Sequence, residues 1–316
     1  MANGRDQQTI ARRGLGEAET SIEAFANHRR YSSKSLLGHA MLAAPVVLVV
    51  GLLVVPTVYT IWVSFYSWSM ISGAEPSFIG LGNYIDVLSD ASLRGSVGRT
   101  MIFVVASVGL QFVVGFGLAL LLYHSFGRLK AIQTVLLLPM MVSDVVVGLS
   151  WRLILQYDGL ANWTLQLAGI PPVYWLGEDL ALASIILVDC WQNVPFVTLI
   201  IYAALQSLPE DVMDASRVDG ASWWARLIHI VIPMIKPAIL VVLLFRTVFS
   251  LRSFGTVWVL TQGGPGDAST LISIETYRQA FRDFNLGLGS TMSVFLLLIG
   301  LIITFAYMRW LNREAL

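Results

Sequence analysis

Apolar residues dominate this chain in long runs, and polar residues interrupt those runs at a few places. Six runs are long enough for a helix to cross a hydrocarbon layer, which takes about 20 apolar residues. They are Ala40–Tyr66, Thr100–Tyr123, Ile132–Leu153, Ala181–Leu205, Ala238–Leu260 and Leu288–Tyr307. The pattern predicts an all-α membrane protein with six transmembrane helices. Pro45, Pro56, Pro139 and Pro195 fall inside these runs, and spanning helices tolerate such breaks where neighbours re-satisfy the freed carbonyls. Residues 1–38 are polar and carry Arg5, Arg12, Arg13, Arg29, Arg30 and Lys34. They read as a cytoplasmic tail with a short amphipathic helix near Ser21–Arg30. A cleavable signal peptide does not fit, because no small-residue cleavage site is present and the apolar run that follows exceeds a signal core. The expected organisation is a tail (1–38), a first spanning helix with its outer loop (39–98) and a five-helix core (99–313).

The most informative interruption is 207–237, SLPEDVMDASRVDGASWWARLIHIVIPMIKP. Ser207 is placed to cap a helix with Glu210 reciprocating three residues on, and Pro209 suits a first turn. Glu210, Asp211 and Asp214 favour the positive end of that helix, which runs to about Val218. Asp219-Gly220 makes a turn that uses the freedom of glycine at positive φ. Ser222 caps a second short helix to about Ile232, and Pro233 and Pro237 bend the chain back toward the membrane. Ala215, Ser216, Gly220, Ala221 and Ser222 are small and let another surface approach the backbone. Two readings are open on physical grounds: a socket for a soluble partner, or an amphipathic helix lying on the bilayer with Trp223 and Trp224 among the headgroups.

Composition agrees with a bilayer protein: 56% of the 316 residues are apolar and 13% charged, against roughly 25% charged in soluble domains. The net charge is zero, but its distribution sets the topology. With the N-terminus inside, the inner side holds the tail cations, Arg128, Lys130, Arg217, Arg226, Lys236, Arg309 and Arg313. The outer side holds only Arg94, Arg99, Arg152, Arg278 and Arg282. Both termini and the 207–237 segment are therefore expected in the cytoplasm. Cys190, the single cysteine, lies in an apolar run and reads as a small core residue. The four histidines show no metal-ligand spacing. Outer-loop aromatics such as Trp163, Tyr174, Trp175, Tyr277 and Phe281 serve either as interfacial anchors or as a docking surface for an extracytoplasmic partner.

The pattern Asp214-Ala215-Ser216, Asp219-Gly220-Ala221 and Ile230-x-x-Pro233 resembles the EAA loop of ABC importer permeases. Asp214 stands where glutamate is usual in that loop. Leu138-Pro139, Val188-x-x-Trp191-x-x-x-Pro195, Phe245-Arg246-Thr247, Arg252-x-Phe254 and Thr261-x-Gly263-Gly264-Pro265 resemble the sugar-uptake branch, the maltose and glycerol-phosphate type. The likeness covers roughly residues 40–310. It implies the type I ABC importer permease fold, six transmembrane helices with a cytoplasmic coupling helix, in a bacterial inner membrane. It implies coupling to ATPase subunits through Glu210, Asp214, Ala215, Ser216, Asp219, Gly220 and Ala221. The chain has no G-x-x-x-x-G-K-[ST] loop. ATP and Mg are thus expected on two copies of a partner ATP-binding subunit, with no cofactor, metal or enzymatic site in this chain. A second homologous permease and an extracytoplasmic substrate-binding protein complete the implied assembly, and no nucleic-acid partner is expected.

Asp144, Asp189, Arg246 and Arg252 are charges at membrane depth, where an unpaired charge costs on the order of 3 kcal/mol. Either they pair and tie spans together, or they line a polar cavity for a hydroxyl-rich solute. Arg246 and Arg252 are six residues apart, so on one helix at most one faces such a cavity. The resemblance places a sugar site at Met140 and Asp144, at Asp189, Gln192 and Asn193, and at Phe249, Ser250 and Ser253. Trp191 is there to stack on a ring, and Arg252 lies nearby. Two carboxylates depart from the maltose pattern and point to another sugar, glycoside or polyol. The leading expectation is a permease subunit of an ATP-driven sugar importer. The alternative is a secondary transporter driven by an ion gradient through Asp144 and Asp189.

Overall fold

A computed structural model of the chain describes residues 43, 45–71, 73–124 and 130–312. The tail, its expected helix at Ser21–Arg30 and the start of the first run lie outside the described residues. Contacts divide the chain into two units, residues 1–59 and 60–316. The described elements are α1 (Pro45–Val63), strands β1 (Tyr66–Ser67) and β2 (Ser77–Phe78), α2 (Gly82–Ser89), α3 (Ala91–His124), α4 (Lys130–Met141), α5 (Asp144–Leu155), α6 (Leu160–Leu167), α7 (Ala181–Gln206), α8 (Glu210–Val218), α9 (Trp223–Leu251), α10 (Gly255–Leu260), α11 (Ile272–Tyr277) and α12 (Leu286–Asn312). Five of these helices are long and apolar enough to cross a membrane, and a bent pair makes a sixth when counted as one span.

The centre of the second unit is the pair α3 and α7. Gly115 lets them touch, since a Cβ there would lie 2.8 Å from Val197 Cβ. Small residues serve this purpose between membrane helices, where close packing rather than water drives association. Phe103, Ile185, Val188 and Leu260 belong to one buried cluster, and Ala119, Val197, Ile201 and Ile235 to another. The connections are held by buried polar side chains. Asn83 donates to Ser64 O (2.9 Å) and Tyr66 O (2.8 Å). Asn162 is fully buried and bonds Tyr157 O, both ends of Val173 and the Trp175 indole. Arg278 pairs with Asp267 at 3.1 Å, and Ser92 donates to the same carboxylate at 2.7 Å. These bonds hold the Asp267 carboxyl below its usual range, the Ser92 hydroxyl contributing most.

Four local expectations need correction. The third run is not one straight helix: its two halves are bent by 100° about the break between Met141 and Asp144. Val142 N–H turns back to Pro139 O (3.3 Å), Ser143 is extended, and Asp144 opens a new helix. The fifth span also breaks. α9 ends at Leu251 and the chain restarts as a helix at Gly255. Ser207 does not cap α8. Its hydroxyl donates to Ala204 O (2.8 Å) and closes α7, while Pro209 occupies the cap position of α8 without a side-chain bond.

Finally, Pro233 and Pro237 do not end the helix, because α9 continues through both as one element. The physical reason is a wide π turn at Leu227–Val231. It holds His229, whose carbonyl lies four residues before Pro233 and would otherwise meet the proline ring. The same device recurs in α1, where the π turn Val50–Val54 holds Leu52, four residues before Pro56.

Candidate functional site

The two helix breaks meet. α5 begins at Asp144 and α10 begins at Gly255, where any Cβ would lie 2.9 Å from Asp144 Cβ. Only glycine lets these two helix starts come so close. The breaks open a cavity of about 360 Å³ lined by Met140, Asp144, Asp189, Gln192, Asn193, Phe196, Arg246, Phe249, Arg252, Ser253 and Thr256. Asp189, Gln192, Asn193 and Phe196 fall at positions i, i+3, i+4 and i+7 of α7, one helical face. Unwound backbone at membrane depth is tolerated where it lines a cavity, and that is its position here.

Asp189 and Arg246, two of the four charged side chains in the cavity, pair with each other. Arg246, 5% exposed, reaches Asp189 at 3.5 Å and donates to Gln111 Oε1 (2.7 Å), Asn193 Oδ1 (2.9 Å) and Ser250 Oγ (3.4 Å). Asp189 also accepts from Gln111 (2.6 Å) and Asn193 (2.9 Å). This network joins α3, α7 and α9, so the pairing reading holds for that ion pair. Asp144 accepts from Gln192 Nε2 at 2.9 Å, and Thr256 donates to Asp144 O at 3.2 Å. Arg252 is exposed and has no ion-pair partner among the described residues. Both arginines line the cavity, contrary to the helical-phase argument, because the helix stops at Leu251 and the phase is lost there.

Of the expected substrate residues, Met140, Asp144, Asp189, Gln192, Asn193, Phe249, Arg252 and Ser253 line this cavity together. Ser250 is buried behind it and accepts from Arg246, and Trp191 packs edge-on against Trp151, 5.5 Å between ring centres. Phe196, Thr256 and Gln111 were missed. Phe196 follows from the α7 periodicity, and Gln111 was visible as a lone amide inside an apolar run. No group of three or more metal-ligating side chains occurs among the described residues.

The polar insert forms the second site. α8 leads into Gly220 at φ +73°, and Ser222 Oγ accepts from Ala225 N at 3.2 Å, as the sequence predicts. Asp214 is taken up by Arg217 at 2.6 Å. Ala215, Asp219 and Gly220 are exposed, Ala221 is half-buried, and Ser216 is buried with its hydroxyl on Met213 O. Between α8 and the ends of α3, α7 and α9 lies a cavity of about 640 Å³.

Residues 111–315, which contain both sites, match the family described as binding-protein-dependent transport system inner membrane component. The chain belongs to this family. Within it, the trehalose/maltose transport system permease protein MalF of Thermococcus litoralis is 34% identical over 86% of this chain and 92% of its own. The trehalose transport system permease protein SugA of Mycobacterium tuberculosis is 32% identical over 95% and 96%. A bacterial ABC transporter involved in import of the acidic polysaccharide alginate has a chain that superposes with a TM-score of 0.78. That match is 23% identical and covers 89% of this permease chain and 96% of the other, which shows the shared fold.

Proposed function

We propose that the chain is the membrane-spanning permease subunit of an ATP-driven importer that takes up a sugar delivered by an extracytoplasmic binding protein. The observation that carries this reading is the 360 Å³ cavity where two interrupted helices meet. Interrupted helices around a polar midpoint are how transporters build a solute site inside apolar surroundings. The lining carries the amides Gln192 and Asn193, the hydroxyls Ser253 and Thr256 and one closed ion pair, with Asp144 and Arg252 outside that pair, the chemistry that exchanges hydrogen bonds with a polyhydroxyl solute. Trehalose and maltose, named for the relatives, are the first candidates. Asp189 is committed to Arg246, Gln111 and Asn193, so an ion-driven mechanism draws no support from it.

In this reading both termini face the cytoplasm and a second permease completes the path. Two ATP-binding subunits, which carry the ATP and Mg, meet the exposed residues of α8 and the Asp219–Gly220 turn. Closure of the ATPase pair pushes that elbow and favours one of two packed arrangements of the spans. The test is uptake of labelled trehalose or maltose into proteoliposomes holding the full assembly, with binding protein outside and ATP inside. Uptake that needs ATP and survives an uncoupler is expected. Uptake that proceeds without ATP and collapses with the uncoupler would overturn the reading.

A further inference from the structure

The larger cavity, about 640 Å³ beneath α8, takes no part in the transport cavity described above. Its volume falls in the range of small-molecule sites. α8 turns Glu210, Met213, Asp214 and Arg217 toward it, positions i, i+3, i+4 and i+7 of one helical face. The other face, with Ala215 exposed and Val218 88% exposed, is uncovered as well. Glu210 and Asp214, which the family likeness assigns to ATPase coupling, stand exposed on the rim of this cavity, so an occupant of the cavity and a docked ATPase meet the same short helix.

The lining has the mixed character of a carbohydrate site. Tyr123, Tyr202 and Trp223 bring ring surface from three separate helices, and rings with a polar tip suit a ligand that is apolar on one face and hydroxylated at its edge. Gln206 donates to the Tyr202 hydroxyl at 3.1 Å. The charges cancel: Arg217 is engaged by Asp214 at 2.6 Å, and Glu210 and Arg226 both line the cavity. A phosphate or nucleotide would meet two carboxylates with no excess of cations, whereas an uncharged polyhydroxyl meets donors and acceptors of both kinds.

We propose that this cavity is a second, cytosol-facing site for an uncharged sugar of the imported class. This rests on the importer reading above. A sugar bound there bridges α8 to the ends of α3 and α7. It restrains the elbow through which ATP-driven motion enters and slows uptake as internal sugar accumulates.

The test uses the complete importer in proteoliposomes with ATP inside, preloaded with increasing unlabelled trehalose, and follows the initial uptake of labelled trehalose. The same series is run with maltose. Internal sugar is expected to lower the rate about fivefold or more, within the usual range of coupling between sites. Tyr202→Ala and the exposed Gln206→Leu should keep the rate of sugar-free vesicles and lose the inhibition. Gln206→Leu serves where Tyr202→Ala fails to assemble. Preloaded glucose 6-phosphate should inhibit less than the neutral sugars. Uptake that ignores internal sugar overturns this inference and leaves the importer reading standing. Inhibition that persists undiminished in the variants also overturns it, because the effect then lies at the transport cavity. Absence of ATP-driven sugar uptake from sugar-free vesicles overturns the importer reading, and this inference with it.

Discussion

Substituting Asp189 tests the buried network most directly. Arg246 is 5% exposed and Asp189 8% exposed, with 3.5 Å between their charged atoms. Asp189→Leu leaves a guanidinium in the interior with its neutral partners Gln111, Asn193 and Ser250 but without its ion-pair carboxylate. Breaking a buried pair from one side costs about 3–5 kcal/mol. The lower end applies here, because the three neutral partners still disperse the charge. About 3 kcal/mol corresponds to a fall of roughly 6–12 °C in unfolding midpoint, at 2–4 °C per kcal/mol for a chain of this order of size. The double variant Asp189→Leu/Arg246→Met removes both charges and should regain most of that loss. Cys190, the single cysteine and 5% exposed, reports the transition by its labelling with a thiol-reactive dye during a thermal ramp. A single variant that melts with its parent, or a double variant no better than the worse single one, would refute the charge-balance argument.

Gly220 at φ +73° has open space around its Cα, so Gly220→Ala pays only about 1–2 kcal/mol of left-handed strain and should keep most ATPase stimulation. Gly220→Pro cannot adopt that φ and should abolish stimulation while the chain still inserts; normal transport by it would count against the elbow. Gly255→Ala drives a Cβ against Asp144 at 2.9 Å. An overpacking cost of about 1–3 kcal/mol should weaken sugar binding roughly tenfold, read as a raised KM in uptake; an unchanged KM would show that the two helix starts do not shape the site. The Asp267 carboxyl is held below its ordinary value, so its contribution is complete above the unfolded pKa of about 3.9 and fades as pH falls through the depressed value. Proteolysis of the outer loops should therefore speed up below about pH 4 in the parent, and Asp267→Asn should remove most of that dependence.

The spans were legible because bilayer burial writes itself as unbroken apolar length, and the elbow because Ser222, Gly220 and the acidic first turn each have one local use. The breaks were harder to see. Ser143-Asp144 is a helix-start signal, but its apolar neighbours hide it in any window of spanning length. The end of α9 at Leu251 leaves no mark beyond the polar pair Arg252-Ser253. The cavity-lining residues were named largely through family likeness, and the structure adds which of them are already bonded to one another. Asp189 and Asp144 look alike in the sequence. Only the position of Arg246, far along the chain on another helix, shows that the first is already paired and the second is held by an amide.

The π turn at Leu227–Val231 makes α9 hold one residue more than a regular helix of its length would. Directions counted from the elbow at Trp223 to the cavity at Arg246 are therefore offset by about 100° from those of an unbroken α-helix. Deleting a single residue in that turn would relieve the offset and swivel the elbow around the axis of the span while both ends kept their own sequence. A one-residue change in length would thus re-aim the elbow proposed to receive the ATPase without altering a residue of the elbow or of the cavity.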